Sequence, residues 1–249
     1  MPPTAPTRRK DRALPGNGGQ FASAESLRTQ LAEITLAPPA AMPPLEAVQV
    51  IPAAIAGTPF GSRGFTVEVD VVFGAEWTGI VRDRDGRSVG DFTYEFEEDG
   101  NVHHANIYLA RHAQQTGFAG EMHEALFDQY RMAGYTSVSL VAVEHGSYVW
   151  ARAGFELNDD MPTMAGAARR GIAARIREIG EGRNDRARAL LHHLAEDVSQ
   201  SGSSTTVQEL AALTVDGEHL GKRILTDIEW PGRLDLRTCA PAGRTPTAA

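Results

Sequence analysis

Apolar and polar residues alternate with a period of two along Phe65 to Phe73, Trp77 to Arg82, Arg87 to Glu98 and Val102 to Leu109. These stretches, rich in β-branched and aromatic residues, read as strands with one buried face. Asp85-Gly86 and Asp99-Gly100 fall between them and read as hairpin turns. The period then changes. Phe118, Met122, Ala125, Leu126 and Ala133 recur at helical spacing with Glu121, Glu124 and Asp128 between them, which predicts an amphipathic helix over Phe118 to Met132 ended by Gly134. Thr136 to Val143 reads as a short, mostly buried strand. Gly146 to Ala153 reads as a short helix stopped by Gly154, with Phe155 opening the next strand.

Further on, Ile172, Ile176 and Ile179 mark a helix over Ala167 to Ile179. Ala189, Leu190, Leu194 and Val198 mark another over Asp185 to Val198. Ser199 to Ser204 reads as a linker. A small terminal unit is expected after it: a helix near Thr206 to Leu213, a turn near Gly217 to Leu225, and a strand-like Ile224 to Trp230 closed by Pro231-Gly232. At the other end, the Pro, Gly and charge content of Met1 to Gln20 predicts disorder, Ala24 to Ile34 a short helix, and Ala37 to Pro44 a Pro/Ala-rich linker. The organisation expected is 1–44 arm, helix and linker, 45–160 main domain, 161–200 helical extension, 201–239 C-terminal unit and 240–249 disordered tail.

Composition narrows the class. With 42% hydrophobic and 22% charged residues in 249, the chain is expected to be globular. The net charge of −8 argues against nucleic acid as a partner, and the basic cluster Arg8, Arg9, Lys10 and Arg12 reads as a solvated arm. One cysteine, Cys239, leaves no intramolecular disulfide and no cysteine-based zinc cluster. No apolar run is long enough to span a membrane and no leader pattern is present, so the expected location is cytoplasmic. His192 and His193 are neighbours on a helix and cannot both face one metal. Gly221-Lys222 lacks the spacing and the Ser/Thr of a P-loop.

The chemistry centres on the passage from the fourth strand to the first long helix. Between Leu109 and Phe118 lies a tight turn, Gln114-Gln-Thr-Gly117-Phe-Ala119, whose backbone N–H groups around Gln115, Thr116, Gly117, Phe118 and Ala119 are left without helical partners. A helix start of this kind binds phosphate, and Gly117 lets backbone approach an anion without a Cβ between them. Gln114, Gly117 and Ala119 fit the Gln/Arg-x-x-Gly-x-Gly/Ala pattern, and from about Phe65 to Phe155 the sequence resembles the GNAT superfamily of N-acetyltransferases.

The resemblance implies an α+β fold: a mixed sheet with an antiparallel N-terminal meander and a parallel strand-helix-strand acyl-CoA unit, followed by a mainly helical C-terminal region. It implies acetyl-CoA as co-substrate, an amine as acceptor, pantetheine pairing along the strand ending at Leu109, pyrophosphate at Gln115 to Ala119, and Gln114 and Trp150 among the cofactor-binding residues. Two departures stand out. The helices the family inserts after its first strand have no room here, and the family's Tyr that protonates the departing thiolate is replaced by Trp150, whose indole N–H is no general acid. Tyr148 is then the candidate acid. For the base, Glu144 and His104 are preferred among Glu144, His103, His104, Glu95, Glu97 and Glu98; alternation puts His103 and His104 on opposite faces. Two readings follow: an acyl-CoA-dependent N-acetyltransferase, or a GNAT-like binding or structural module that has lost catalysis, in a phage or mobile-element protein. The Gly18-Gly-Gln-Phe-Ala22 segment, similar to a tag on actinobacterial, phage and plasmid-borne proteins, suggests the latter setting.

Overall fold

The computed structural model describes residues 51–52, 54–72 and 75–238. The expected arm, helix, linker, tag and tail, and Cys239, lie outside them. Strands β1 (Thr66–Val72), β2 (Glu76–Arg82), β3 (Ser88–Phe96) and β4 (Asn101–Leu109) form the expected antiparallel meander. Gly86 and Gly100 turn two of its hairpins with φ of 78° and 85°, which only glycine adopts without strain. Helix α1 (Phe118–Met132) follows and returns the chain to β5 (Ser137–Ala142), parallel to β4. Then come α2 (Gly146–Arg152), β6 (Glu156–Leu157), the long pair α3 (Pro162–Glu181) and α4 (Asp185–Val198), α5 (Val207–Ala212), the hairpin β7 (Thr214–Val215) and β8 (Glu218–His219), α6 (Gly221–Leu225) and β9 (Trp230–Asp235). The sheet order is β1-β2-β3-β4-β5-β9-β6.

The structure corrects the sequence reading in the C-terminal third. Residues 201–238 of the expected 201–239 unit are not a unit of their own. β9 lies in the main sheet, antiparallel to both β5 and β6, so α3 to α6 are an insertion between two strands of one sheet. Ile224 and Leu225 are helical, and Pro231-Gly232 lies inside the strand that it was expected to close. Pro231 is tolerated there because pairing with β6 starts only at Gly232, while the Pro231 carbonyl accepts from Asn158 N at 2.8 Å. Gly221 serves close packing: a Cβ there would stand 2.1 Å from the Ala211 carbonyl oxygen.

The buried stripe of α4 is Ala187, Leu191, Ala195 and Val198, and Leu190 is 54% exposed, one position off the stripe expected. The helix faces α3, whose Ile172, Ile176 and Ile179 are buried. The capping box of Thr206 and Glu209 fixes the start of α5. No helix among the described residues is long and apolar enough to cross a membrane.

Phe92, Tyr94, Phe96, His104, Val138 and Leu140 are buried on one face of the sheet, under Met122, Leu126, Phe127 and Tyr130 of α1. By alternation, His103, Ser137 and Ser139 belong to the opposite face.

Candidate active site

The parallel pairing of β4 and β5 is short. It runs from Asn101 opposite Ser137 to His104 opposite Leu140 and stops there, although β4 continues to Leu109. The cause is local. Opposite β3, the register jumps between Thr93, which faces Asn106, and Tyr94, which faces His104, so Ala105 is an extra residue in β4. Such a bulge bends and twists the strand that carries it. Beyond Ala105 the β5-facing edge of β4 has no partner strand among the described residues.

The unpaired end of β4 leads into the turn before α1. Gln115 and Gly117 take φ of 59° and 84°, and Gly117 caps the helix without a side-chain bond. The amides of Gln115, Thr116, Gly117, Phe118 and Ala119 have no acceptor among the described residues. Two side chains bond back to the turn's own backbone: Gln114 Nε2 donates to the Leu109 carbonyl at 2.9 Å, and Thr116 Oγ1 to that of Ala113 at 2.8 Å. Both bonds brace the loop.

A second segment, without a signal in the sequence, is fastened to this turn. Phe60 and Phe65 bond to each other through their backbones and pack edge-on against Phe118, with centroids 6.2 and 5.9 Å away. Between them, Ser62 N donates to Thr116 O at 3.0 Å, Gly61 N to Glu121 Oε2 at 2.6 Å, and Arg63 to His112 O at 3.0 Å. A Cβ on Gly61 would be 2.8 Å from Phe118 N, so this backbone covers one side of that amide. The Arg63 guanidinium brings positive charge to the turn, and the Glu121 carboxylate in the first helical turn brings negative charge.

The residues proposed for proton transfer are separated. His104 is 4% exposed and stacks on Tyr94 with centroids 3.9 Å apart. Its Nε2 lies 3.3 Å from Tyr130 Oη, and its buried Nδ1 has no partner among the described residues. Burial holds its pKa well below the usual histidine value, and the charges of His123 and His103 would lower it further. Glu144 lies four residues beyond Leu140, with φ of 50°, its side chain exposed and its carbonyl accepting from Ser147 and Asp227. The preferred pair is therefore one core residue and one surface residue, and the fold does not bring them together. Trp150 is buried beside His104, His123 and Phe155, at 6.2, 4.8 and 5.1 Å between ring centroids. Tyr148 is half-buried on α2, and its hydroxyl has no bond among the described residues.

On the other face of the sheet a polar cavity of about 310 Å³ is lined by His103, Ser139, Glu97, Asp99, Asp160 and Arg233, among others. Asn101 Nδ2 donates to Glu97 at 2.5 Å and to Ser139 Oγ at 2.8 Å, and His103 Nδ1 lies 3.0 Å from the same Ser139 Oγ. Arg233 pairs with Asp160. Alternation had separated His103 from His104 in the sequence. Arg233 and Asp160 carry no motif that could have announced them. His192 bonds Glu181 at 3.2 Å, and no cluster of possible metal ligands occurs among the described residues.

No family model and no curated protein matches the sequence. Among solved structures, the chain is similar to a proposed acyl-CoA N-acyltransferase from Klebsiella pneumoniae, at 12% identity over 38% of this chain and 84% of that one, with a TM-score of 0.34. It is also similar to an IAA acetyltransferase from Bacillus cereus, at 12% identity, 38% and 79% coverage and a TM-score of 0.33. A GNAT family acetyltransferase from Elizabethkingia anophelis with acetyl-CoA bound matches at 12% identity, 38% and 78% coverage and a TM-score of 0.31. These matches each cover about two fifths of this chain. Its own sheet is α+β and mixed, with the antiparallel meander and the parallel strand-helix-strand unit that the sequence predicts.

Proposed function

We propose that the chain is an acyl-CoA-dependent N-acyltransferase, with acetyl-CoA as co-substrate, an amine as acceptor and the cytoplasm as its compartment. One observation carries this reading: a strand edge freed by the bulge at Ala105 runs into a turn with five amides that lack acceptors among the described residues. An extended amide-containing arm ending in a diphosphate has complementary needs, strand-like pairing first and backbone N–H donors next. Arg63 adds a cation beside the same turn. In the reaction, the amine nitrogen attacks the thioester carbonyl and the sulfur leaves as CoA.

Calorimetry with acetyl-CoA, desulfo-CoA and free pantetheine tests the reading. Acetyl-CoA and desulfo-CoA should bind alike and pantetheine far more weakly, because the turn holds the phosphates. Equal affinity for all three, or none for acetyl-CoA at millimolar concentration, would remove it.

Trp150 favours a second reading. Packed against His123, it gives the departing sulfur no acid, which suits a GNAT-like binding or structural module of a phage or mobile-element protein. Tight acetyl-CoA binding with no CoA release in the presence of any amine would select that module.

A further inference from the structure

We propose that Ser139 and His103 form a nucleophile and base pair that hydrolyses short acyl esters through an acyl-serine. This activity goes beyond the acyl-CoA reading and does not rest on it, because it needs neither a diphosphate nor an amine.

One rung of the sheet carries the parts. Glu95 of β3 is paired with His103 of β4, His103 with Ser139 of β5, and Ser139 with Arg233 of β9. Residues directly opposite on neighbouring strands share a face, so a carboxylate, an imidazole, a hydroxyl and a guanidinium stand in a row on the side away from α1. His103 and Ser139 are half-buried, and with Arg233 they line the polar cavity of about 310 Å³. That volume is at the small end of ligand pockets, roughly 300–1,000 Å³, and suits an acyl group of a few carbons on a small alcohol.

The hydrogen bonds decide where the protons sit. Asn101 Nδ2 donates to Glu97 at 2.5 Å and to Ser139 Oγ at 2.8 Å, while its Oδ1 accepts from Ser137 Oγ at 3.0 Å. Turning this amide over would set its carbonyl against the Glu97 carboxylate, so the donor end stays toward Ser139. Ser139 Oγ is thus an acceptor from Asn101, and its own proton needs a partner. His103 Nδ1, at 3.0 Å, is the acceptor it meets among the described residues. The lone pair is then on Nδ1 and the ring proton on Nε2. A hydroxyl held against an imidazole lone pair is an activated nucleophile, and Asn101 acts through it as a positioning residue. Glu95 is exposed and makes no bond to the ring, so its part is the smaller one of a nearby negative charge.

In the reaction, Ser139 Oγ gives its proton to His103 Nδ1 and bonds to the acyl carbonyl carbon. The bond from that carbon to the alcohol oxygen then breaks, and the departing oxygen keeps the electron pair and takes the proton from His103. Water repeats the sequence on the acyl-serine: it gives a proton to His103, its oxygen bonds to the carbonyl carbon, and Ser139 leaves with that proton as the carboxylic acid is released. Negative charge develops on the acyl oxygen in both halves. Arg233 supplies a cation for it from the β9 side, where Nη2 lies 3.5 Å from Ser137 Oγ and the other end of the guanidinium pairs with Asp160.

The test treats the full chain with p-nitrophenyl acetate and with a fluorophosphonate probe. The probe should attach at Ser139, located by peptide mass spectrometry, and block release of p-nitrophenolate. Ser139→Ala and His103→Gln should each lower that release by roughly 10²–10⁴-fold. Arg233→Gln should lower kcat by roughly 10²-fold and Glu95→Gln by less, with KM kept in both. NMR of the ring nitrogens should find His103 as the Nε2–H tautomer, and Asn101→Ala should mix the two tautomers. A parent that neither hydrolyses the ester nor takes the probe, labelling at any residue other than Ser139, parent-like hydrolysis in Ser139→Ala or His103→Gln, or an Nδ1–H ring in the parent would overturn the proposal. Should Ser139→Ala fail to fold, Ser139→Cys keeps the shape of the side chain. Its thiol should react with iodoacetamide at least roughly tenfold faster than when His103→Gln is added, and equal rates would count against the pair. Acetyl-CoA calorimetry decides the other reading separately: a parent that hydrolyses the ester and binds no acetyl-CoA keeps this proposal and loses that one.

Discussion

The indole of Trp150 meets the imidazole of His123 edge-on, with ring centroids 4.8 Å apart. On the acyl-CoA reading this indole stands in for the tyrosine that would protonate departing sulfur. Turnover is expected to be slow in the parent. Trp150→Tyr should raise it by up to roughly 10²-fold, as general acid assistance allows. Tyr148→Phe distinguishes the routes: a large loss of CoA release would put the acid at Tyr148, and no change would leave thiolate departure unassisted. Trp150→Ala opens a cavity and should cost about 3–5 kcal/mol in urea unfolding.

His123 gives the protein an acid-sensitive core. Burial lowers its pKa to about 4, with the Ala119 carbonyl opposing the shift in part. Tyr94 Oη lies 3.1 Å from Nε2 and serves the neutral ring. Between pH 6.5 and about 4 the unfolded chain therefore binds the proton that the folded chain refuses. Stability then falls as pH falls through that window, by about 3 kcal/mol for this residue alone. Urea midpoints measured from pH 7.5 to pH 4.5 should decline less steeply in His123→Phe; an unchanged slope would place the acid sensitivity elsewhere.

Gly117 has φ of 84°, so any side chain strains the turn before it meets a ligand. A Cβ there has room, its nearest neighbour being Glu121 Oε1 at 3.6 Å. Gly117→Ala should lower stability by about 1 kcal/mol through backbone strain, and Gly117→Val by more, with loss of the thermal shift produced by acetyl-CoA. A parent-like shift in the Val variant would take the phosphates away from this turn.

Glu121 places a carboxylate where a diphosphate would arrive, while also holding Gly61 N at 2.6 Å. Glu121→Gln should tighten acetyl-CoA binding several-fold at low salt and little at high salt, because screening weakens the repulsion. Stability should drop by about 0.5–1 kcal/mol as the helix start loses its charge. Salt-dependent calorimetry of the two proteins checks both effects.

The sheet meander, α1 and the glycine turn before it were legible because local rules write them: alternation, a helical period, Asp-Gly hairpins and a glycine at a helix start. The inserted position of β9 was not. Nothing near Trp230 says that its partner is Ala142, far back in the chain, and Pro231-Gly232 imitates a terminator. The α4 stripe was misread by one residue because Leu190 and Leu191 are adjacent and the sequence favours neither; packing on α3 decides. In the site, alternation separated His103 from His104, but which face holds the cleft depends on where α1 lands. Composition has no access to that.

β9 also sets an order of events during synthesis. The strand that lies against β5 is made only after α3 to α6 have left the ribosome, and until then β5 and β6 each keep an open edge. A nascent chain halted before Trp230 would display Val138, Leu140 and Ala142 on an unzipped border, a template for any passing strand. The helical insertion thus acts as a delay line between two halves of one sheet, and its own speed of folding governs how long that border stays open.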